Sequence, residues 1–191
     1  MLVQAQIRSN RPLVSSMVLG MLLLLATETM FFAALISAYL VSRAGAIGVW
    51  PPPHQPRLPV LATAFNTLFL LFSAGTMIFA MKSLYLTEKI PKIQKWLTIT
   101  SVLGSIFVLL QGVEWLKLIQ FGLTTSSSLY GAFFYLLVGA HAVHALLGIA
   151  LIGFVIWQLK QKTNLLAAHS VFILSQTAFT ACQMYWFFVV A

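Results

Sequence analysis

The sequence has few charged residues and very few acidic ones. Of its 191 residues only 7% are charged, and the acidic residues are Glu28, Glu88 and Glu114. A soluble domain usually carries about 25% charged residues, so this chain has too little charge to cover a water-exposed surface. With 60% hydrophobic residues and a mean hydropathy of +0.95, the composition excludes most soluble enzyme folds and indicates an integral membrane protein.

Cysteine is also scarce, because Cys182 is the only one. A single cysteine excludes an internal disulfide framework and any zinc or iron–sulfur site with several cysteine ligands. The sequence has no glycine-rich phosphate-binding loop, and its serine and threonine residues lack a base with a recognisable orienting partner. We therefore predict no catalytic residues in this chain.

The basic residues outnumber the acidic ones and give a net charge of +8. Such a charge is also found in nucleic-acid-binding proteins, but here the lysines and arginines lie in short loops between apolar runs. That arrangement fits orientation in a bilayer and contact with anionic lipid better than a groove for nucleic-acid phosphates. We predict membrane lipid, and no nucleic acid, as a partner.

Five apolar runs are long enough to cross a hydrocarbon core about 30 Å thick, which takes roughly 20 helical residues. None alternates apolar and polar residues over ten-residue units, so a β-barrel is not expected. The first run is too long for a signal peptide, contains Glu28 and has no clear cleavage site. The sequence predicts an all-α fold, a single membrane domain over 1–191 with five transmembrane helices at about 13–42, 60–84, 96–119, 129–159 and 166–191.

The loops between the runs predict the orientation of this bundle. The longest is the proline-rich loop at 44–59, where a helix cannot continue. One side of the bundle would hold Arg8, Arg11, Lys82, Lys89, Lys92, Lys95, Lys160 and Lys162, and the other Arg43, Arg57 and Lys117. Basic residues accumulate in cytoplasmic loops, so we expect the N-terminus in the cytoplasm and the C-terminus and the proline-rich loop outside.

Glu28 is predicted near the middle of the first helix, where a charged group is costly and therefore informative. One hypothesis is a structural carboxyl group that is hydrogen-bonded to a neighbouring helix. The other is a carboxylate that relays protons, which needs a chain of polar partners across the membrane. The sequence does not show such a chain, so the structural role is favoured.

A second polar group is predicted toward the outer ends of the second and third helices. Gln111 and Glu114 are three residues apart and share a helix face. Asn66 lies at a similar depth when residues are counted at about 1.5 Å each, so a contact between Asn66 and Glu114 is compatible with the predicted bundle. Polar contacts of this kind hold membrane helices together.

His141 and His144 are three residues apart and share one face of the fourth helix, near the middle of the membrane. Imidazole binds zinc, copper and iron. Two histidines on one turn cannot be opposed axial haem ligands, however, and zinc needs further ligands, for which His54 and His169 are not convincing. Polar packing with Glu28 or a lipid is therefore favoured, and we predict no metal site.

The motifs in this chain, taken in order and with their spacing, resemble subunit III of the haem–copper terminal oxidases, the cytochrome c oxidase subunit III family. The matching pieces are Glu28-Thr29-Met30-Phe31-Phe32, Trp50-Pro51-Pro52, Asn66-Thr67 within 61–74, Leu110-Gln111 with Glu114-Trp115, Tyr130-Gly131-Ala132-Phe133-Phe134, and His141 and His144 with Gly148. Each piece alone is weak, whereas the ordered set is specific. The usual form has seven helices, so the chain is similar to the shorter five-helix bacterial form.

This resemblance implies a non-catalytic accessory subunit in a bacterial inner (plasma) membrane, part of a proton-pumping cytochrome c or quinol oxidase of aerobic electron transport. Such a subunit binds no haem or copper and docks on the catalytic subunit I, together with subunit II and other respiratory subunits. It supports proton uptake, protects subunit I during turnover and holds structural phospholipid. The lipid-binding or buried polar residues would be Glu28, Asn66, Gln111, Glu114, His141 and His144, and the outer-loop interface Trp50, Pro51 and Pro52.

The last helix departs from the family pattern. Phe187 and Val190 stand where the family typically has His and Asp, and Gln176 stands where a glutamate is often found. These differences remove ionisable groups, so a proton-handling network through the fifth helix is not expected here. They favour a subunit that is held by packing and by lipid.

Two other functions are compatible with a small polytopic chain. One is an accessory subunit of a nitric oxide reductase, whose five-helix third subunit resembles the same family. The other is a small secondary transporter that uses Glu28 and the two histidines of the fourth helix. The sequence has no discontinuous helix pair and no inverted repeat that would favour the transporter.

Overall fold

The computed structural model describes residues 15–46, 48–52, 60–86, 90–162 and 168–191. Within these ranges the chain forms helices and no strand, which confirms the predicted all-α fold. The helices are α1 (Ser16–Ala44), α2 (Val60–Leu86), α3 (Ile90–Gln120), α4 (Leu129–Lys162) and α5 (Ala168–Val190). Helices α1 to α4 are long and apolar enough to cross a membrane, so the chain is a multi-pass membrane protein. The fifth crossing stays a prediction.

Helices α1 to α4 each end beyond the predicted apolar run, and α3 also begins before it. Helix α3 begins at Ile90 instead of 96 because Pro91 lies in its first turn, where a backbone N–H has no partner within the helix and proline is tolerated. Helix α4 continues beyond 159 to Lys162. The predicted starts at 13 and 166 lie outside the described residues, as do Arg8, Arg11, Arg57 and Lys89, which entered the prediction of orientation.

Local signals define three helix ends. At the start of α1, the hydroxyl of Ser15 accepts a hydrogen bond from the backbone N–H of Val18 at 3.4 Å. Helix α3 ends where Gly122 adopts a φ of +88°, a left-handed conformation that favours glycine. The N–H of Leu123 then donates to the carbonyl of Leu118 at 2.9 Å, which closes the helix end. At the start of α4, Ser128 Oγ accepts from the N–H of Gly131 at 3.1 Å.

The helices differ in how extensively they pack on one another. Helices α2 and α3 pack along each other, α4 lies against α3, and α5 lies against α4 and α2. Helix α1 packs on α4 and α5, and within the described residues it makes no comparable contact with α2 or α3. No residue of α1 is buried. A gap between α1 and α2 is the consequence, and it opens toward the polar residues of α3 and α4.

The core is centred on Trp186 of α5, which is fully buried. A Cβ added to Gly104 of α3 would lie 2.6 Å from this indole, and one added to Gly148 of α4 would lie 2.8 Å from it. The indole N–H donates to Ser73 Oγ of α2 at 3.2 Å. Trp186 therefore joins four helices, and the two glycines leave the space that its ring occupies.

Candidate functional site

The first part of the site is a contact between Glu28 of α1 and His144 of α4. Glu28 Oε2 lies 2.9 Å from His144 Nε2. His144 Nδ1 lies 2.7 Å from the carbonyl oxygen of Ala140. A carbonyl only accepts, so Nδ1 carries a hydrogen and donates it.

This geometry determines how many protons the pair holds. With Nδ1 protonated, a neutral imidazole has a bare Nε2, so the short contact to Glu28 needs one further proton between the two side chains. Either the carboxylic acid donates to Nε2 or the imidazolium donates to a carboxylate. The pair has no net charge in both cases, which avoids the cost of an isolated charge in the membrane.

Aromatic rings flank the Glu28–His144 pair. The ring of Phe32 meets His144 edge-on at 5.2 Å, and the ring of Tyr185 is stacked with it at 6.4 Å with an interplanar angle of 18°. The pair is not sealed, because the Glu28 side chain is 25% exposed and that of His144 is 13% exposed. An opening of about 350 Å³ at the surface of the bundle borders both residues. The pair thus holds α1 against α4 and is accessible from the surface of the bundle.

The second part of the site joins α2 to α3. The Asn66 amide donates to Gln111 Oε1 at 3.2 Å and to the backbone carbonyl of Phe107 at 3.3 Å. Glu114 Oε2 accepts from Thr63 Oγ1 at 3.3 Å and, at 3.5 Å, from the amide of Gln111. The structure therefore places Gln111 between Asn66 and Glu114, whereas the sequence was also compatible with a direct contact between the latter two. Asn66 and Gln111 are both buried.

His141 belongs to neither part. Its ring meets that of Phe107 edge-on at 6.2 Å. In the portion of the chain that the structure describes, its ring nitrogens have no hydrogen-bond partner, and the residue borders a cavity instead. The two histidines of the fourth helix thus lie in different environments although they share a face.

A cavity of about 580 Å³ occupies the gap between α1 and α2. Helices α3 and α4 and the end of α5 form its remaining walls. Most of its lining is apolar, and the polar lining residues are Thr29, Thr63, Thr67, Gln111, His141 and His144. Both the volume and the mixture of apolar walls with a few polar groups are typical of sites that bind small molecules or lipids.

The predicted outer-loop residues pack on the ends of two helices. The Trp50 N–H donates to the hydroxyl of Tyr39 on α1 at 3.2 Å. The indole also meets the ring of Tyr130 on α4 edge-on at 5.8 Å. Pro51 and Pro52 follow, with a cis peptide bond between Trp50 and Pro51. Residues 53–59, including His54, lie outside the described residues.

Metal ligands are not grouped in the parts of the chain that are described. Within those ranges no three His, Cys, Asp or Glu side chains come close enough together to hold a metal ion. Both ring nitrogens of His144 are engaged, one with Ala140 and one with Glu28. The side chain of Cys182 is buried in the apolar core.

Sequence reasoning did not identify Thr63, Phe107 or Tyr185 as parts of the site. Thr63 is one helical turn before Thr67, so its position beside the second polar group could have been inferred from the 3.6-residue period. Phe107 contributes its backbone carbonyl, for which residue type gives no signal. Tyr185 lies on α5, whose packing partners the sequence alone does not specify.

Comparison with known proteins gives a consistent result. The family model described as cytochrome c oxidase subunit III matches residues 5–191. A probable cytochrome c oxidase subunit 3 of Nocardia farcinica is 35% identical over 183 residues, which cover 94% of this chain and 83% of that protein. A protein of the same description from Mycobacterium leprae is 36% identical with the same coverage. A cytochrome c oxidase subunit 3 of Synechocystis is 32% identical over 170 residues, 89% of this chain and 68% of that protein.

Proposed function

Because the chain belongs to the cytochrome c oxidase subunit III family, we propose that it is the accessory subunit III of a proton-pumping haem–copper oxidase. The observation that carries the proposal is the family match over residues 5–191. The named relatives are subunits of cytochrome c oxidases, which favours this function over a nitric oxide reductase subunit or a transporter. Their bacterial sources support a place in a bacterial plasma membrane.

The chain acts through its partners. We propose that it packs on the catalytic subunit I, that subunit II belongs to the same complex, and that the partners hold the haem and the copper. The engagement of both His144 ring nitrogens supports this division, because a metal would have to displace the bond to Glu28 or the bond to Ala140. Cys182 is no better placed, since its thiol lies in the apolar core.

The Glu28–His144 pair has a positioning role in this proposal. It is a polar link between α1 and the rest of the bundle, in a helix that has no buried residue. By holding α1 in place it fixes one wall of the cavity of about 580 Å³. The support of proton uptake by subunit I is then indirect and arises from the shape and stability of the interface.

The cavity between α1 and α2 is the proposed lipid site. Its walls are mostly apolar, and it opens between two helices that do not pack on each other. A hydrocarbon chain in this gap would cover surface that is otherwise left between the helices. The lipid would be a structural component that keeps α1 and α2 at a fixed separation.

The function is tested by placing an affinity tag on this chain, expressing it in the source organism and purifying the complex from the membranes. We expect a copurifying subunit with a haem–copper centre, haem absorbance and oxygen consumption. The separated chain should show neither signal. A complex with haem and non-haem iron, or a tagged chain without any haem-bearing partner, would contradict the proposal.

A further inference from the structure

We infer that the cavity between α1 and α2 binds the head of an uncharged, hydroxyl-bearing lipid, and not the phosphate head group of a phospholipid. This inference rests on the proposed lipid site and specifies its ligand. Three properties of the cavity wall indicate this ligand, namely its hydrogen-bonding groups, its charge and its depth in the membrane.

Two hydroxyl groups of the wall are available only as acceptors. Thr67 Oγ1 donates its hydrogen to the backbone carbonyl of Thr63 at 2.9 Å. Thr29 Oγ1 does the same toward the carbonyl of Leu25 at 2.7 Å. Each oxygen keeps unshared electron pairs, so a ligand that satisfies these residues must itself donate hydrogen bonds.

His141 adds a group that can both donate and accept a hydrogen bond. Among the residues that the structure describes it has no hydrogen-bond partner, although it lines the cavity. A neutral imidazole offers one N–H donor and one bare nitrogen acceptor. A hydroxyl group matches it, because a hydroxyl can accept from the N–H or donate to the bare nitrogen, whereas a phosphate diester anion can only accept.

The described part of the wall has no unpaired cation that could neutralise a phosphate. None of the described lining residues is lysine or arginine. The side-chain amide of Gln111, which lines the cavity, contacts the carboxyl group of Glu114. This acidic group would not attract a phosphate. An anion placed there would be buried without a counter-charge, which is strongly unfavourable. The charge of the wall therefore selects an uncharged head.

The polar wall also lies below the level of phospholipid head groups. At about 1.5 Å per residue, Thr67 lies about 10 Å along α2 from Val60, and His141 lies about 18 Å along α4 from Leu129. A charged phosphate stays outside a hydrocarbon core about 30 Å thick, whereas an uncharged head enters that core at a much lower cost, so only the uncharged head would reach His141. The rings of Phe32, Phe107 and Phe188 complete the lining with flat apolar surface.

A prenylated quinol and a diacylglycerol both have this chemistry, and a binding experiment distinguishes them. The purified oxidase that contains this chain is delipidated and kept free of oxygen. It is incubated separately with isotope-labelled prenyl benzoquinol, the corresponding quinone, dioleoylglycerol and phosphatidylglycerol. Label retained per complex is then measured by mass spectrometry after gel filtration.

The variants are Thr67→Val and His141→Leu, with Thr98→Val as the matched control. Thr98 also donates its hydroxyl hydrogen to a backbone carbonyl four residues earlier, at 2.8 Å, but lies on α3 away from the cavity. We expect the quinol or the diacylglycerol to bind at about one molecule per complex. Loss of one hydrogen bond should weaken that binding by about tenfold in each cavity variant and leave Thr98→Val unchanged. If the quinol is the ligand, the quinone, which cannot donate, should bind about tenfold more weakly as well.

Retention of the quinol identifies the ligand as a quinol, and retention of the glycerolipid identifies it as a diacylglycerol. The inference is overturned if phosphatidylglycerol alone is retained, if no probe is retained, or if binding is the same in the cavity variants as in wild type. These outcomes are independent of the proposed function. A tagged chain that purifies without haem absorbance contradicts the function, whereas a haem-bearing complex with the wrong lipid preference contradicts only the inference.

Discussion

Glu28 of α1 and His144 of α4 are 116 positions apart in the sequence, and their side chains meet at 2.9 Å. One shared proton makes this contact both hydrogen-bonded and free of net charge. The pair connects a helix without buried residues to the helix that also carries His141.

Glu28→Gln should preserve this connection. The introduced amide can donate to His144 Nε2, so assembly, proton uptake and oxygen consumption of the complex should be unchanged. Glu28→Ala should leave His144 Nε2 without its partner and lower the free energy of unfolding by about 1–3 kcal/mol, measured by denaturation of the purified chain in detergent. A strong fall in proton uptake in Glu28→Gln, with normal assembly, would show that ionisation of Glu28 is needed and that its role is not positional.

Gly148→Ala should destabilise the bundle because the added methyl group would lie 2.8 Å from the indole of Trp186. Overpacking of this kind costs about 1–3 kcal/mol. Gly153→Ala is the matched control on the same helix, since a Cβ there meets nothing within 4 Å. The control should be neutral or slightly stabilising, by up to about 1 kcal/mol, because alanine is the better helix former. Equal unfolding midpoints for the two variants would contradict the packing described for Trp186.

Asn66 and Gln111 should be energetically coupled. Their side chains bond across α2 and α3 at 3.2 Å in a buried position. A double-mutant cycle with Asn66→Leu and Gln111→Leu should give a coupling free energy of about 0.6 kcal/mol, the average for interhelical hydrogen bonds in membranes, and at most about 1.7 kcal/mol. The measurement is the denaturation of all four chains in the same detergent. Strict additivity of the two single changes would mean that the bond contributes nothing to stability.

The orientation of the bundle can be tested with single cysteines. Cys182 is buried, so it should give little background with a membrane-impermeant maleimide. Val49 and Leu86 are exposed near opposite ends of the bundle, at 77% and 79%. In intact cells Val49→Cys should be labelled, and Leu86→Cys only after the membrane is permeabilised, because basic loops stay in the cytoplasm. The reverse labelling pattern would overturn the predicted orientation.

The positions of the helices could be predicted from the sequence because length and apolarity alone decide which segments can cross a bilayer. The predicted start of α3 at about 96 is later than the observed start at Ile90, because the polar segment around Pro91 lies outside the apolar run although a first helical turn tolerates proline. Neighbouring helices could not be predicted. In a membrane the faces toward lipid and toward protein are both apolar, so hydrophobic periodicity does not separate them.

In the site, too, the sequence predicts the depth of a residue in the membrane but not the direction in which its side chain points. Residue counting placed Asn66 and Glu114 at similar levels, but it carries no information on the rotation of each helix about its axis. In the structure Gln111 occupies the place next to Asn66, and Glu114 turns toward Thr63. The proximity of Glu28 to the histidines was among the expectations, yet only the structure separates His144, which meets Glu28, from His141, which faces the cavity.

The position of Trp186 has a consequence for biogenesis. Helix α5 follows the other four helices in the chain and is therefore synthesised after them. Until it is inserted, the slot between Gly104 and Gly148 has no indole to fill it, and Ser73 has no tryptophan N–H to accept from. A nascent chain that has completed α1 to α4 thus lacks part of its core, which is supplied when α5 inserts with Trp186 and its buried neighbours Phe179 and Cys182.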